Sequence, residues 1–460
     1  MNSISLNFII GLLFLNLLIV FLSRKKNLTI KQYALGGRKF STITLTTTIV
    51  ATWISGDYFF ITLGEVYTTG LLYALGCLGI PFSLFITGYL FAPRMKEFLG
   101  ELSIASFMGK AYGKNVRLIT VFSGSTLASG YMIVQFKVLK EIFNIYFGEY
   151  GDYALLISAL TIMLYTSLGG IRHVALMDKM LSFIFCTLIV CICFSIFSDI
   201  AHTEGVNLRG VLRDNYIFNL KNFLDISNID FWQLLLLFTL FAIPEVDPVY
   251  FQRIAMCNSV VQIKRSFYLA ALLVALILIS ISFIGFLLFS FNKNLDPTTL
   301  VHYVINVYSY TALKDLIFIT LIVMSISTID SIINATSVMI AHDFYAPLNI
   351  KINELFAVRI SSILLVCVGL FFAKTDSKML QVIFTVQSFY VPIIVPPFFM
   401  KVFKFNAPIK VVYISMLVGF ISVLIWKNFF MYTGVDSVLP ATAMSFLVMI
   451  VYLCSTKINK

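Results

Sequence analysis

The sequence of 460 residues predicts an all-α polytopic membrane protein of about thirteen transmembrane helices, with two five-helix blocks of opposite topology and flanking helices. Three observations carry this. Hydrophobic residues make up 59% of the chain and charged residues 12%, against about 25% charged in a soluble domain. Apolar windows long enough to cross a bilayer, roughly 20 residues each, recur along its whole length. Two of those windows are interrupted by helix-breaking and acidic residues, each in the first helix of its block.

The windows cover approximately 6–23, 41–66, 71–93, 117–147, 152–168, 174–199, 232–256, 266–291, 314–342, 354–373, 379–400, 409–426 and 437–455. The first ends in Arg24-Lys25-Lys26 rather than a small-residue cleavage site, so it reads as a retained span and not a signal peptide. The second carries Ser55-Gly56-Asp57, and the seventh carries Pro244-Glu245-Val246-Asp247-Pro248. Proline removes a backbone donor and crowds the preceding turn, and glycine lowers the cost of leaving helix geometry. Spans 2–6 and 7–11 form the two blocks, and because five is odd the second has inverted topology. Interrupted helices at matching positions of inverted halves point to the central site of a transporter. The whole chain reads as one transmembrane domain: 1–40 holds the first span and a basic loop, 41–200 the first repeat, 231–401 the second, and 402–460 two flanking spans. The stretch from about Ile200 to Asp230 is the longest loop.

Basic residues sort by side. With the N-terminus outside, the inner loops hold 22 Lys and Arg and the outer loops 10, with Lys179 left inside a span. That bias puts the C-terminus in the cytoplasm of a multi-pass protein of the cell (inner) membrane. The net charge of +11 therefore reports topology and not nucleic-acid binding. The seven cysteines lie in or beside apolar runs and the four histidines are scattered, so neither zinc nor redox chemistry is indicated. No loop offers paired carboxylates with a histidine or a metal motif, and an enzyme is not expected.

The ninth window holds Ser327-Thr328-Ile329-Asp330-Ser331 at mid-membrane depth. At about 100° per residue, Ser327, Asp330, Ser331 and Asn334 share a helix face, with Thr328 at its edge. Each polar group there costs several kcal/mol unless partnered. Oxygens gathered at that depth suit a hard cation such as sodium, whose water shell they replace. Hydroxyls bonding back to the preceding turn are the simpler explanation for any one of them.

Four stretches resemble the sodium:solute symporter family. They are Tyr33 to Ser41 with Ala51-Thr52-Trp53-Ile54-Ser55-Gly56; Gly169-Gly170 with Asp178; Pro248 to Arg253; and Ser327 to Ser331 followed by His342-Asp343-Phe344-Tyr345. The resemblance implies a LeuT-like fold of ten core helices in a 5+5 inverted repeat, and sodium-driven uptake of a small organic solute. Carried onto this sequence, the family's main sodium site uses the carbonyls of Ala51, Ile54 and Met324 and the hydroxyls of Ser327 and Thr328. Some members have a second cation site, which maps onto Asp178, Ser327, Asp330 and Ser331. Here the ammonium of Lys179 either occupies that site in place of an ion or snorkels to the nearby cytoplasmic face. By position the solute contacts are Trp53, Ser55, Asp57, Tyr58, Gln135, Leu240, Pro244 to Asp247 (with Glu245) and Gln387. The acidic residues at the breaks favour an amino acid or other amine. Arg253, Lys264 and Arg265 read as cytoplasmic anchors. The expected partners are the solute, sodium and the lipid bilayer, with no nucleic acid. Proton coupling on the same fold, through Asp178, Asp330 or Glu245, is the competing mechanism.

Overall fold

A computed structural model of the chain describes residues 3–23, 29–202, 206–307 and 311–458. The basic cluster Arg24-Lys25-Lys26 lies outside the described residues. Among those described there is no strand, and helices carry the whole architecture. The crossings are α1 (Ser3–Ser23), α2a (Thr42–Trp53) with α2b (Gly56–Thr69), α3 (Leu71–Arg94), α4 (Lys114–Phe147), α5 (151–169), α6 (171–201), α7a (Ile229–Ala242) with α7b (Pro248–Ala255), α8 (Val260–Phe291), α9 (Thr311–Asp343), α10 (Glu354–Phe372), α11a (Met379–Ser388) with α11b (Val391–Val402), α12 (Ile409–Phe429) and α13 (Val438–Ile458).

Seven described stretches are long and apolar enough to cross a bilayer as they stand, or eight with the α11 pair, which bends by 52°. The expectation of about thirteen includes crossings that this criterion does not separate. These are α1, the two broken helices, and α4 to α6, which run together over 88 residues. Residues Gly151–Ala201 would stretch about 76 Å as one straight helix, far more than a bilayer core of about 30 Å. The run turns at Gly170, whose φ of 66° only glycine adopts readily. A Cβ there would lie 2.9 Å from the ring of Tyr33.

Both interruptions read from the sequence are present. α2a ends at Trp53, Ile54 turns extended, and Ser55 becomes the N-cap of α2b. Helix α2b is pressed close to its neighbours: a Cβ on Gly56 would run into Ser325 Oγ of α9. α7a ends at Ala242, and Asp247 caps α7b through Tyr250 N at 2.7 Å, with Pro248 in the first turn where its missing N–H costs nothing. The third break, in α11 at 389–390, was not read from the sequence. It faces the α7 break, where Tyr390 donates to the Val246 carbonyl at 2.9 Å.

Helix α9 is the centre of the packing, in contact with α4, α5, α6 and α10. Ser327, Thr328, Asp330, Ser331 and Asn334 on it are all buried. One end of the bundle is closed by bonds among basic residues. Arg117 grips the buried Asp343 at 2.6 Å and the His342 carbonyl at 3.2 Å, and Ser103 donates to the same carboxylate. Arg38 Nε donates to the Cys257 carbonyl at 2.8 Å. The short helix Ile30–Leu35 lies at this basic face, with Tyr33 donating to the Thr166 carbonyl at 2.9 Å, Arg172 Nε to Gly36 O at 2.9 Å, and Gln252 Nε2 to Ala34 O at 3.0 Å. The opposite face holds a cleft of about 1140 Å³ lined by residues including Phe60, Glu65, Lys137, Thr298, Phe384 and Asp436.

Candidate functional site

The α2 break creates the first half of the site. Because the helix stops at Trp53, the Ala51 carbonyl accepts a hydrogen bond from a neighbouring helix: Thr328 Oγ1 lies 3.1 Å from it. The same hydroxyl lies 3.1 Å from the Met324 carbonyl one turn back. Two neutral carbonyls and a hydroxyl from both blocks thus converge at one point, and Ile54 lies fully buried beside them. Among the described residues no group of three or more His, Cys, Asp or Glu could hold a metal ion. Neutral oxygens of this kind suit a monovalent cation that must also leave.

Ser327 turns to a different partner. Its Oγ donates to Asp178 Oδ1 of α6 at 2.5 Å. Thr48 of α2a donates to Asp178 Oδ2, and Ser331 Oγ lies 3.4 Å from that oxygen. The positive charge beside Asp178 is Arg253: its Nη2 is 3.5 Å from Oδ2, and both side chains are 1% exposed. Arg253 also donates to Ser331 Oγ at 2.6 Å and Thr52 Oγ1 at 3.3 Å. This corrects one sequence-based expectation and decides between the two readings of Lys179. Arg253 is not a cytoplasmic anchor, because α7b begins only at the break and carries the residue back into the core. Lys179 is exposed, since the next residue along a helix points about 100° away from Asp178. Asp330 does not join this group. It accepts from Thr166 Oγ1 at 2.9 Å and Tyr165 OH at 3.2 Å on α5.

The α7 break supplies the second half. Its carboxylate Glu245 is half-buried, accepting from Tyr131 OH of α4 at 2.6 Å and from Gln387 of α11a. Val246 holds a φ of 48°, a left-handed conformation that strains a β-branched residue. Asp57 accepts from Gln135 Nε2 of α4 at 2.6 Å and from Ser55. Trp53 packs edge-on against Tyr250 with centroids 5.8 Å apart. Tyr58 is half-buried at the start of α2b, and Pro244 is buried.

A family model described as the sodium:solute symporter family matches residues 33–419. The chain belongs to the sodium:solute symporter family. High-affinity choline transporter 1 of Caenorhabditis elegans is 28% identical over 166 residues, which is 35% of this chain and 28% of that protein. A substrate-bound, outward-open sodium-coupled sialic acid symporter superposes with a TM-score of 0.81 at 17% identity, covering 97% of this chain and 96% of that one. A nucleobase-cation-symport-1 family transporter in a closed conformation gives a TM-score of 0.58 at 13% identity, covering 92% and 94%. These structural likenesses establish the fold as the LeuT-like inverted repeat with flanking helices.

The family resemblance put Ala51, Ile54, Met324, Ser327 and Thr328 at one site and Asp178, Ser327, Asp330 and Ser331 at a second. The structure brings Thr328 to the Ala51 and Met324 carbonyls and Ser327 and Ser331 to Asp178, while Asp330 bonds instead to Thr166 and Tyr165. Sequence reasoning missed Thr48, Arg253, Tyr131, Tyr165 and Thr166. Tyr131 sits one helical turn before Gln135 on α4, so the i, i+4 spacing was a usable signal. Arg253 offered no local signal, because its partner is far away in the chain.

Proposed function

We propose that this symporter-family chain couples the inward movement of a small organic amine to that of sodium, by alternating access around the broken helices. The observation that carries this reading is the Thr328 hydroxyl set between the Ala51 and Met324 carbonyls. Sodium would be held there by the Ala51, Ile54 and Met324 carbonyls with the Ser327 and Thr328 hydroxyls, joining the first repeat to the second. At Asp178 a second cation would have to displace Arg253. The solute would sit at the breaks, among Trp53, Ser55, Asp57, Tyr58, Gln135, Pro244, Glu245, Asp247 and Gln387.

We read the repeats as 41–200 and 231–401. The basic face is taken as cytoplasmic, in the cell (inner) membrane, with the N-terminus outside and the C-terminus inside. The cleft on the opposite face would then receive solute from outside while Arg117 and Asp343 hold the inner side shut. Sodium and solute each raise the other's affinity by the same factor, as linkage requires.

The test is accumulation of labelled solute in proteoliposomes. Uptake should follow an inward sodium gradient, and S327A/T328A should lose that dependence while remaining folded. Uptake driven by a pH gradient in sodium-free medium, and sensitive to Asp330→Asn instead, would favour proton coupling.

A further inference from the structure

We propose that residues 207–232, in the connection from α6 to α7a, lie in the headgroup layer of the bilayer on the side opposite the basic face, with Arg209, Arg213 and Lys221 paired to phospholipid phosphates. Nothing in this depends on which ion or solute the chain carries.

The segment has two faces. Its short helices Leu208–Asp214 and Leu220–Leu224, with the turn Tyr216–Phe218 between them, direct Phe218 and Phe223 into the protein, where both are buried. Six other apolar side chains, Leu212, Tyr216, Leu220, Leu224, Ile226 and Ile229, are between 47% and 66% exposed. A connection surrounded by water scatters such residues singly. So many in one short stretch mark a surface that lipid or a partner covers.

Depth decides for lipid. The Phe218 ring lies with its centroid 5.1 Å from those of both Phe286 and Phe289 on α8, which ends at Phe291. At about 1.5 Å per residue this contact lies roughly 3–8 Å inside the helix end. The segment therefore runs along the flank of the bundle and not above it. Toward mid-membrane the exposed apolar surface continues down α8 through Phe283, Ile279 and Leu276, three and four residues apart on one face. Phe283 stacks on Phe286 with centroids 5.9 Å apart, which joins that face to the segment. Tyr216 donates to Asp230 Oδ2 at 2.6 Å and Trp232 Nε1 to the Ile226 carbonyl at 3.0 Å, clipping the segment to the first turn of α7a. Amphipathic rings of this kind gather at the membrane interface.

The charges suit phosphate. Asp225 is taken up by Ser227 and Asp230 by Tyr216. Arg213 lies 3.8 Å from Asp214, and both side chains are largely exposed. Among the described residues no ion pair joins Arg209 or Lys221 to an acid. Long basic side chains lay their stems on apolar surface and carry the charge to the headgroups. Asn207, Asn215, Asn219 and Asn228 each accept from a backbone N–H two or three residues on, at 2.9–3.1 Å, so less of the backbone needs water.

The experiment adds one tryptophan at a time to the chain in nanodiscs of phosphatidylcholine with phosphatidylglycerol. Leu212→Trp and Leu224→Trp each add emission to that of the parent. Acyl chains brominated near the headgroup should quench the added emission, and acrylamide in the water should not. Quenching by acrylamide and not by the lipid would put the segment in water and overturn the proposal. Protection from both quenchers would also overturn it, by pointing to a protein cover such as a second copy of the chain. Arg209→Gln with Lys221→Gln should lower the midpoint of thermal unfolding in the discs by about 2–4 °C. In maltoside micelles, which carry no phosphate, the same variant should match the parent. An equal shift in both settings, or none in either, would overturn the pairing with phosphate.

Discussion

Arg253→Gln removes the only basic partner of Asp178 among the described residues and leaves a carboxylate buried at the core of the bundle. Thr48 and Ser327 still donate to it, but two neutral hydroxyls do not replace a guanidinium. The change also releases the bonds from Arg253 to Ser331 and Thr52. Breaking a buried pair from one side costs about 3–5 kcal/mol, because an uncompensated charge stays behind. Asp178→Asn should cost a similar amount by stranding the guanidinium. The double variant removes both charges, so its loss should fall short of the sum by about 0.5–3 kcal/mol. Reversible unfolding in mixed micelles measures all three, with Lys179→Gln as a control expected within about 0.5 kcal/mol of the parent. Single losses below about 1 kcal/mol, the scale of an exposed pair, would refute the reasoning. So would strict additivity.

Gly170→Ala puts a Cβ on a left-handed residue and drives it against Tyr33. Thermal unfolding should show a loss of about 1–2 kcal/mol from the backbone alone, with more from the clash. Arg117→Ala strips the buried Asp343 of its ion pair and should loosen the basic face. Cys257, buried beneath that face, reports on it. Desolvation pushes its thiol up to about 12, against a smaller opposing pull from Arg38. Only thiolate reacts with maleimide, so at pH 8 the parent should label slowly. Water admitted by Arg117→Ala lowers the thiol toward its ordinary value of about 8.5 and should speed labelling, by an amount that mass spectrometry can follow. Equal rates in the two proteins would show that Arg117 does not hold this face closed.

The two interruptions were legible because their causes are local. Gly56, Pro244 and Pro248 sit beside acidic residues in the middle of apolar windows, and that local combination marks a break. The α11 bend was less so, although Pro392, Pro396 and Pro397 lie just beyond it. Longer-range assignments failed where sequence adjacency stood in for spatial adjacency. Lys179 follows Asp178 in the chain but points away from it, and Arg253 reaches the carboxylate from α7b. The polar face of α9 was read as one patch, and the packing divides it. Ser327 and Ser331 meet α6, Asp330 meets α5, and Thr328 meets α2a. Periodicity can say that residues share a side of a helix, but it does not say how many neighbours that side touches.

Residues 30–38 belong to neither block, yet they are bolted to both: through Thr166 and Arg172 to one, and through Gln252 and Cys257 to the other. Under the alternating access proposed above, blocks that move against each other could not keep all four bonds at once. The strap would then release one block or the other, and the free energy of that release would set how long the basic end stays sealed.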